Sequence, residues 1–322
     1  SKLKHSYHRK RQSESALFCI RREKANAEKF RATENKRLQR FEEFSKEYFN
    51  FADFEICAGK NVDSKLLNKY SYFVVGSDQI WNPCILSTST KRFLDFAPKD
   101  KRVAIAASFG ISDIPDTREV IYTKLLKEIP HISVREDRAK EIIKELIGRD
   151  VPVIIDPSLV LDTKDWDAIA RRPTFLEDDH FSNYLLSYFL GIKSKGQEKV
   201  INEIAEKKNL KIINLQEVSY DEYFTLDPSE FIWLIKNAEF ICTDSFHGTV
   251  LSIMYQKNFW AFNREEIGYE NDNRLATILG KLNLQDCIYR GQEYNSPNYD
   301  SALRIIEKER KIFLNYLGEA LK

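Results

Sequence analysis

The sequence predicts an α/β protein made of two parallel-sheet halves that face a shared cleft. Short runs rich in Val, Ile, Tyr and Phe each end in a polar, acidic or Gly-containing turn, and helix-like stretches separate several of them. Parallel strands buried on both faces and joined by crossover helices read this way. The pattern restarts after Asp156-Pro157-Ser158, which divides 322 residues into two units of ordinary domain size. At 43% hydrophobic and 31% charged, the composition is that of a globular protein. No apolar run approaches the roughly 18 to 20 residues of a membrane span.

In chain order, residues 20–50 predict a helix, with Phe30, Leu38, Phe41, Phe44 and Phe49 at near-helical spacing and no Pro or Gly. Strands follow at Tyr72 to Val75, Arg102 to Ala107, Ile132 to Val134 and Val153 to Ile155, with helices at Arg118 to Glu128 and Arg138 to Ile147. The second half opens on a helix with Thr163 as the expected N-cap ahead of Trp166. Four more strands are expected at Tyr184 to Phe189, Leu210 to Leu215, Glu239 to Thr243 and Asn258 to Phe262. Helices at Gly196 to Lys208, Pro228 to Asn237 and Thr249 to Tyr255 lie between them. The expected division is a first α/β lobe over 1–160, a second over 161–300, and a last helix within 301–322 that packs back on the first lobe.

Charge is distributed unevenly. Residues 1–40 hold thirteen Lys and Arg against four Glu, a net +9, which leaves −8 for the rest of a chain whose total is +1. The segment reads either as a solvated helix or as a surface for acidic lipid or a phosphate-bearing acceptor. No nucleic-acid recognition motif accompanies it, so no nucleic-acid partner is expected. The five cysteines (Cys19, Cys57, Cys84, Cys242, Cys287) are scattered, with no C-x-x-C pair and no signal-peptide core ahead of them. The expected location is therefore the reducing cytoplasm.

Several chemistries are excluded. No two of the eleven glycines are two residues apart, so the dinucleotide fingerprint is missing, and Gln197-Glu198 follow Gly196 where a P-loop needs Lys and Ser or Thr. None of the five histidines stands in a metal-binding pattern, and no metal is expected.

Polar strand tips remain. Thr243-Asp244-Ser245-Phe246-His247-Gly248 leads from a strand into a helix, whose free N–H groups suit phosphate or carboxylate. His247 there is either a proton-transfer group or a capping and packing residue. Gly76-Ser77-Asp78-Gln79-Ile80-Trp81-Asn82 offers a carboxylate, an amide and an aromatic plane for a sugar, or else a helix cap and a core Trp. Arg135 is a planar fork for an anion, or the partner of Glu136 or Asp137. Ser108-Phe109-Gly110 and Asp156-Pro157-Ser158 read as turns with backbone donors.

Taken in order, these segments resemble the polysaccharide pyruvyl transferase family. The matching pieces are Val75 to Pro83, Ala106 to Gly110, Ile132 to Glu136, Asp156 to Leu161 with Trp166, and Thr243 to Thr249, within a likeness spanning about residues 70–290. The resemblance implies two Rossmann-like lobes of the GT-B type. It also implies transfer of the pyruvyl skeleton of phosphoenolpyruvate to a sugar of a cell-surface polysaccharide or its lipid-linked precursor, as a cyclic ketal. No cofactor is implied beyond that co-substrate. His247, Asp78 and Arg135 would be catalytic. Ser77, Gln79, Trp81, Asn82, Ser108, Phe109, Gly110, Lys193, Lys195, Asp244, Ser245, Gly248 and Thr249 would bind substrate. A cytoplasmic enzyme peripheral to the anionic inner face of the membrane is the expected setting.

Two departures are visible. Some members carry Arg two residues before the His, where Ser245 stands here, so one anion contact must come from elsewhere. Members also usually open with a strand and an Asn- and Gly-containing loop, which leads to the expectation of a first lobe short of one strand. Two other readings compete: a sugar-nucleotide glycosyltransferase on the same fold, marked by a uracil-sized pocket with a ribose-binding carboxylate, and a non-catalytic glycan-binding relative.

Overall fold

The computed structural model describes residues 31–52, 54–56, 62–85, 89–176, 183–215, 221–264 and 273–322. Most of the basic segment, together with Cys19 and Cys57, lies outside them. The described chain is mixed α/β with two parallel sheets. A helix over 31–48 (α1) and a short helix Ser64–Leu67 (α2) precede the first sheet. That sheet holds β1 (Phe73–Val75), β2 (Arg102–Ala107) and β3 (His131–Val134), in the order β1-β2-β3. Helix α3 (Asp116–Lys127) connects β2 to β3, and α4 (Asp137–Ile147) follows. After α5 (Thr163–Ile169) come β4 (Tyr184–Tyr188), α6 (Lys195–Lys208), β5 (Lys211–Leu215), α7 (Asp221–Phe224), α8 (Pro228–Asn237), β6 (Phe240–Thr243), α9 (Phe246–Met254), β7 (Asn258–Ala261), α10 (Asn273–Lys281) and α11 (Tyr299–Ala320). The second sheet runs β5-β4-β6-β7.

The strands behave as their composition demands: β2 and β6 are buried along their whole length. Several helices start where a side chain takes up their orphan N–H groups. Asp227 and Glu230 form a reciprocal capping box at α8 with Pro228 in the first turn, and Ser194 with Gln197 does the same at α6. Three sequence expectations are corrected. Val153 to Ile155 is not a strand but a single parallel bridge from Val153 to Val134, confined between Pro152 and Pro157. The cap of α5 is Asp162, whose carboxylate accepts from the N–H groups of Lys164 and Asp165. Helix α9 begins at Phe246, because the Ser245 hydroxyl accepts from the Gly248 N–H. His247 and Gly248 therefore lie in its first turn.

One apolar core joins Val103 and Ile105 of β2 to the strands and helices of the second sheet and to Ile306 and Phe313 of α11. The Tyr316 hydroxyl donates to the Ala104 carbonyl (3.1 Å), and Arg310 donates to the Leu159 carbonyl (2.8 Å). Helix α1 is held by its arginines. Arg40 bridges the buried carboxylates of Asp227 and Glu230 at 3.2 and 2.6 Å, and Arg37 donates to the Phe224 carbonyl. These two charges of the basic segment thus bind the protein itself. Among the described residues no helix is long and apolar enough to cross a membrane, and no three His, Cys, Asp or Glu side chains are grouped to hold a metal.

Trp81, expected as a sugar-stacking plane, is fully buried. It stacks on Phe93, packs against Phe109 and donates its indole N–H to the Arg92 carbonyl. Trp81→Ala is expected to destabilise the fold by about 3–5 kcal/mol in urea unfolding, whereas a ligand-facing indole would leave stability near the wild-type value.

Candidate active site

Four chain tips converge, and their local chemistry explains each. The tip after β1 turns sharply at Gly76 (φ +135°), where a Cβ would lie 1.9 Å from the Ile105 carbonyl oxygen, so only glycine fits. It delivers Ser77 and Asp78. In β2 the register shifts between Ala104 and Ala107. The Ser133 hydroxyl holds this irregularity, accepting from the Ala106 N–H and donating to the Ala104 carbonyl. The Arg135 N–H then donates to the Ala107 carbonyl, which fixes the tip after β3. Asp156 ends the short extension beside β3, and the first turn of α9 presents His247.

Arg135 is at the centre. Its side chain is 1% exposed, and its Nη1 donates to Asp156 Oδ2 at 2.6 Å. Its Nη2 donates to Asp78 Oδ1 at 3.1 Å. The ring of Phe246 covers one face of the guanidinium at 4.3 Å. Nε lies 3.7 Å from Glu136 Oε1, too long for a hydrogen bond, and Ser108 donates to that same carboxylate. Asp156 is the second hub: it also accepts from the Ser77 hydroxyl (2.5 Å) and from the Ser158 hydroxyl (2.6 Å) and N–H (3.0 Å). Its Oδ1 is 4.0 Å from His247 Nε2.

Burial pushes the Asp156 carboxyl up, but Arg135, His247 and the two serine hydroxyls outweigh it and hold the pKa at about 2. Asp78 is likewise lowered, with burial opposed by Arg135, the Gln79 N–H and His247. For His247 burial dominates and pushes the pKa down; Asp156 and Asp78 pull it up, while Arg135 and Arg274 push it further down. Burial thus favours the neutral form of the imidazole. It is also accessible, with 44% of its side chain exposed, and Asp78 is 67% exposed. The arrangement thus offers two proton-transfer groups to solvent around a buried, fixed cation.

The structure brings together Ser77, Asp78, Arg135, His247 and, through Glu136, Ser108. Most of the other expected residues make contacts within the fold. Gln79 accepts from the Asn82 amide (2.6 Å) and lies against Gly110; Asn82 and Phe109 are buried. Asp244 is buried and holds the backbone N–H groups of Leu190 and Gly191. Ser245 caps α9, and a Cβ on Gly248 would meet Thr243 Oγ1 at 2.8 Å. Thr249 is buried. Lys193 donates to Asn214 (2.5 Å), while Lys195 is exposed in the first turn of α6. Two residues were missed. Asp156 read as part of a turn, and only its position beside Arg135 reveals it. Arg274, second residue of α10 and 4% exposed, acts electrostatically on His247. Nothing in its sequence surroundings marks it.

A parallel α/β protein whose strand tips gather an arginine, two aspartates and a histidine has its site where such sheets hold their ligands. The family's sequence model matches residues 6–266, and the chain belongs to the polysaccharide pyruvyl transferase family. It is thus a member of a family of transferases. No curated protein matches the chain. Two solved structures of the wall teichoic acid polymerase TagF, one a variant, are similar to it at 13% and 11% identity. They cover 88% and 87% of this chain and 79% and 78% of theirs, with TM-scores of 0.38 and 0.36, too loose a likeness to bear on the argument.

Asp156→Asn is expected to cost about 3–5 kcal/mol, since it strips a buried guanidinium of its closest partner, and to lower the His247 pKa further in an NMR titration. In the wild type the depressed carboxyl stabilises the fold by roughly 2–3 kcal/mol above the unfolded pKa near 4, a contribution lost as pH falls towards 2. The variant should lose that acid-range slope in urea midpoints measured between pH 5 and 2.

Proposed function

We propose that the protein transfers the pyruvyl group of phosphoenolpyruvate to two hydroxyls of one sugar in a cell-surface polysaccharide or its lipid-linked precursor, giving a cyclic ketal and phosphate. The observation that carries this reading, within the family, is the pairing of accessible His247 and Asp78 around Arg135. Both guanidinium nitrogens of Arg135 that face partners hold carboxylates, so the donor reaches it by replacing Asp78, the exposed one, at Nη2. That exchange frees Asp78 to take the proton of a sugar hydroxyl.

The balance of the reaction assigns the remaining roles. One hydroxyl adds to C2 as its methylene carbon gains a proton; the second then displaces phosphate from C2, and its proton leaves with phosphate or with a base. Burial favours the neutral form of His247 before the donor arrives, and the negative charge of the bound donor raises its proton affinity. It then delivers a proton to the methylene or to the departing phosphate, beside the N–H groups of the α9 terminus. Arg274 supplies cationic charge that acts on His247, where Ser245 stands in place of the Arg that some members carry. The GT-B arrangement, a cytoplasmic setting and attraction of the basic segment 1–40 to an anionic membrane belong to the same reading.

The test is release of inorganic phosphate from phosphoenolpyruvate, followed by 31P NMR, on addition of lipid-linked or polysaccharide acceptors. His247→Ala is expected to lower turnover by roughly 10²- to 10⁴-fold with the fold retained, the range for loss of a general acid or base. Near-normal turnover in a folded His247→Ala protein would remove the histidine from the mechanism.

A further inference from the structure

Ser133, the third residue of β3, is fully buried at a position where a parallel strand calls for an apolar side chain. A hydroxyl there is tolerated only when its hydrogen-bonding groups are met. Both are met by an irregularity of the neighbouring strand. From Ala104 to Ala107 β2 advances three residues, while β3 advances two, from Ile132 to Val134. The extra residue leaves Ala106 in the left-handed region (φ +48°), which an alanine adopts only under constraint. Ser133 Oγ accepts from the Ala106 N–H at 3.0 Å and donates to the Ala104 carbonyl at 3.1 Å, so it clasps the bulge at both ends. A second hydroxyl reaches the same carbonyl. Tyr316, four residues before the end of α11, donates to Ala104 at 3.1 Å, and Phe313 one turn earlier is buried in the core and seats the helix there.

The bulge carries both sides of the Arg135–Asp78 pair. Gly76 turns directly against the Ile105 carbonyl, and Ser77 and Asp78 follow it. The Ala107 carbonyl accepts from the Arg135 N–H at 3.2 Å, and the Ser108 carbonyl accepts from the Trp81 N–H at 3.1 Å. Helix α11 also reaches the remaining carboxylate, since Arg310 donates to the Leu159 carbonyl (2.8 Å) three residues beyond Asp156. One helix at the end of the described chain thus braces the backbone beneath Asp78, Arg135 and Asp156. A charge-assisted hydrogen bond depends on direction as well as distance, so a bulge free to relax changes how the Arg135 fork faces its carboxylates. Core packing alone would be met by Ala or Val at position 133; the hydroxyl answers to the bulge.

We propose that Tyr316 and Ser133 are positioning residues of the anion site: through the Ala104–Ala107 bulge their hydroxyls set Arg135 against Asp78, and with it the binding of the anionic donor. Neither touches the ligand. The assignment rests on the phosphoenolpyruvate reading for its ligand, so one readout of the test needs no ligand. Tyr316→Phe and Ser133→Ala each remove one hydroxyl and keep the packing, while Phe313→Leu, in the same helix, lowers stability and leaves both hydroxyls in place. Thermal unfolding, the His247 titration by NMR and phosphoenolpyruvate affinity by calorimetry are measured on the full chain of each. Burial is the main influence lowering the His247 pKa and Arg135 adds to it, so a slackened guanidinium is expected to let that pKa rise in both hydroxyl variants. Phosphoenolpyruvate is expected to bind them about tenfold more weakly. In the double variant the loss should be smaller than the product of the single losses, because both hydroxyls serve one carbonyl. Phe313→Leu is expected to unfold at lower temperature with both readouts at wild-type values. Either readout unchanged in both hydroxyl variants, or shifted equally by Phe313→Leu, overturns the proposal. If wild type does not bind phosphoenolpyruvate, the donor assignment falls instead; a rise of the His247 pKa in the hydroxyl variants then sustains the positioning role, and its absence overturns that role.

Discussion

A guanidinium taken out of water must be met by negative charge at close range, because the desolvation of an unpaired buried ion costs several kcal/mol. Arg135 imposes this condition on everything around it. Asp156, buried as deeply, meets one nitrogen, and Asp78 meets the other from the solvent side. Satisfying one side chain thus draws together the tip of β1, the end of β3, the turn after Pro152 and the first turn of α9, whose Phe246 covers the guanidinium face. These tips belong to segments of the chain far apart in sequence. The charge pairing positions them more narrowly than apolar packing would, since hydrogen-bonded ion pairs fix direction as well as distance.

The same pairing sets the proton chemistry. Asp156 stays ionised because Arg135 and two serine hydroxyls outweigh its burial, and its negative charge in turn acts on His247. The histidine sits among opposing charges, with Asp156 and Asp78 on one side of the balance and Arg135 and Arg274 on the other. Its protonation state is therefore sensitive to any added anion.

A second buried charge cluster, Asp227 and Glu230 with Arg40 and Arg171, fastens α1 to the start of α8. It explains why Arg40 of a strongly basic segment points inward.

The alternation of apolar runs and helices was legible in the sequence because buried parallel strands must be apolar throughout, and helices α6 and α8 because Ser194 and Asp227 stand at their starts, whereas the start of α9 at Ser245 reads too late in the sequence, at Thr249. The tips bearing Asp78, Arg135 and His247 were legible for the same reason: strand-to-turn transitions are local. What each tip does was not. Trp81 and Asp78 stand three residues apart, yet one is enclosed between Phe93 and Phe109 and the other faces water. Asp156 looks like a turn residue, and Arg274 like any first-turn arginine, until the fold brings each near a partner remote in the chain. Sequence determined the elements and their order, since hydrogen bonding and hydrophobic periodicity act over a few residues. Only the tertiary structure decided which polar groups meet, because burial and charge pairing depend on neighbours that the chain supplies from far away.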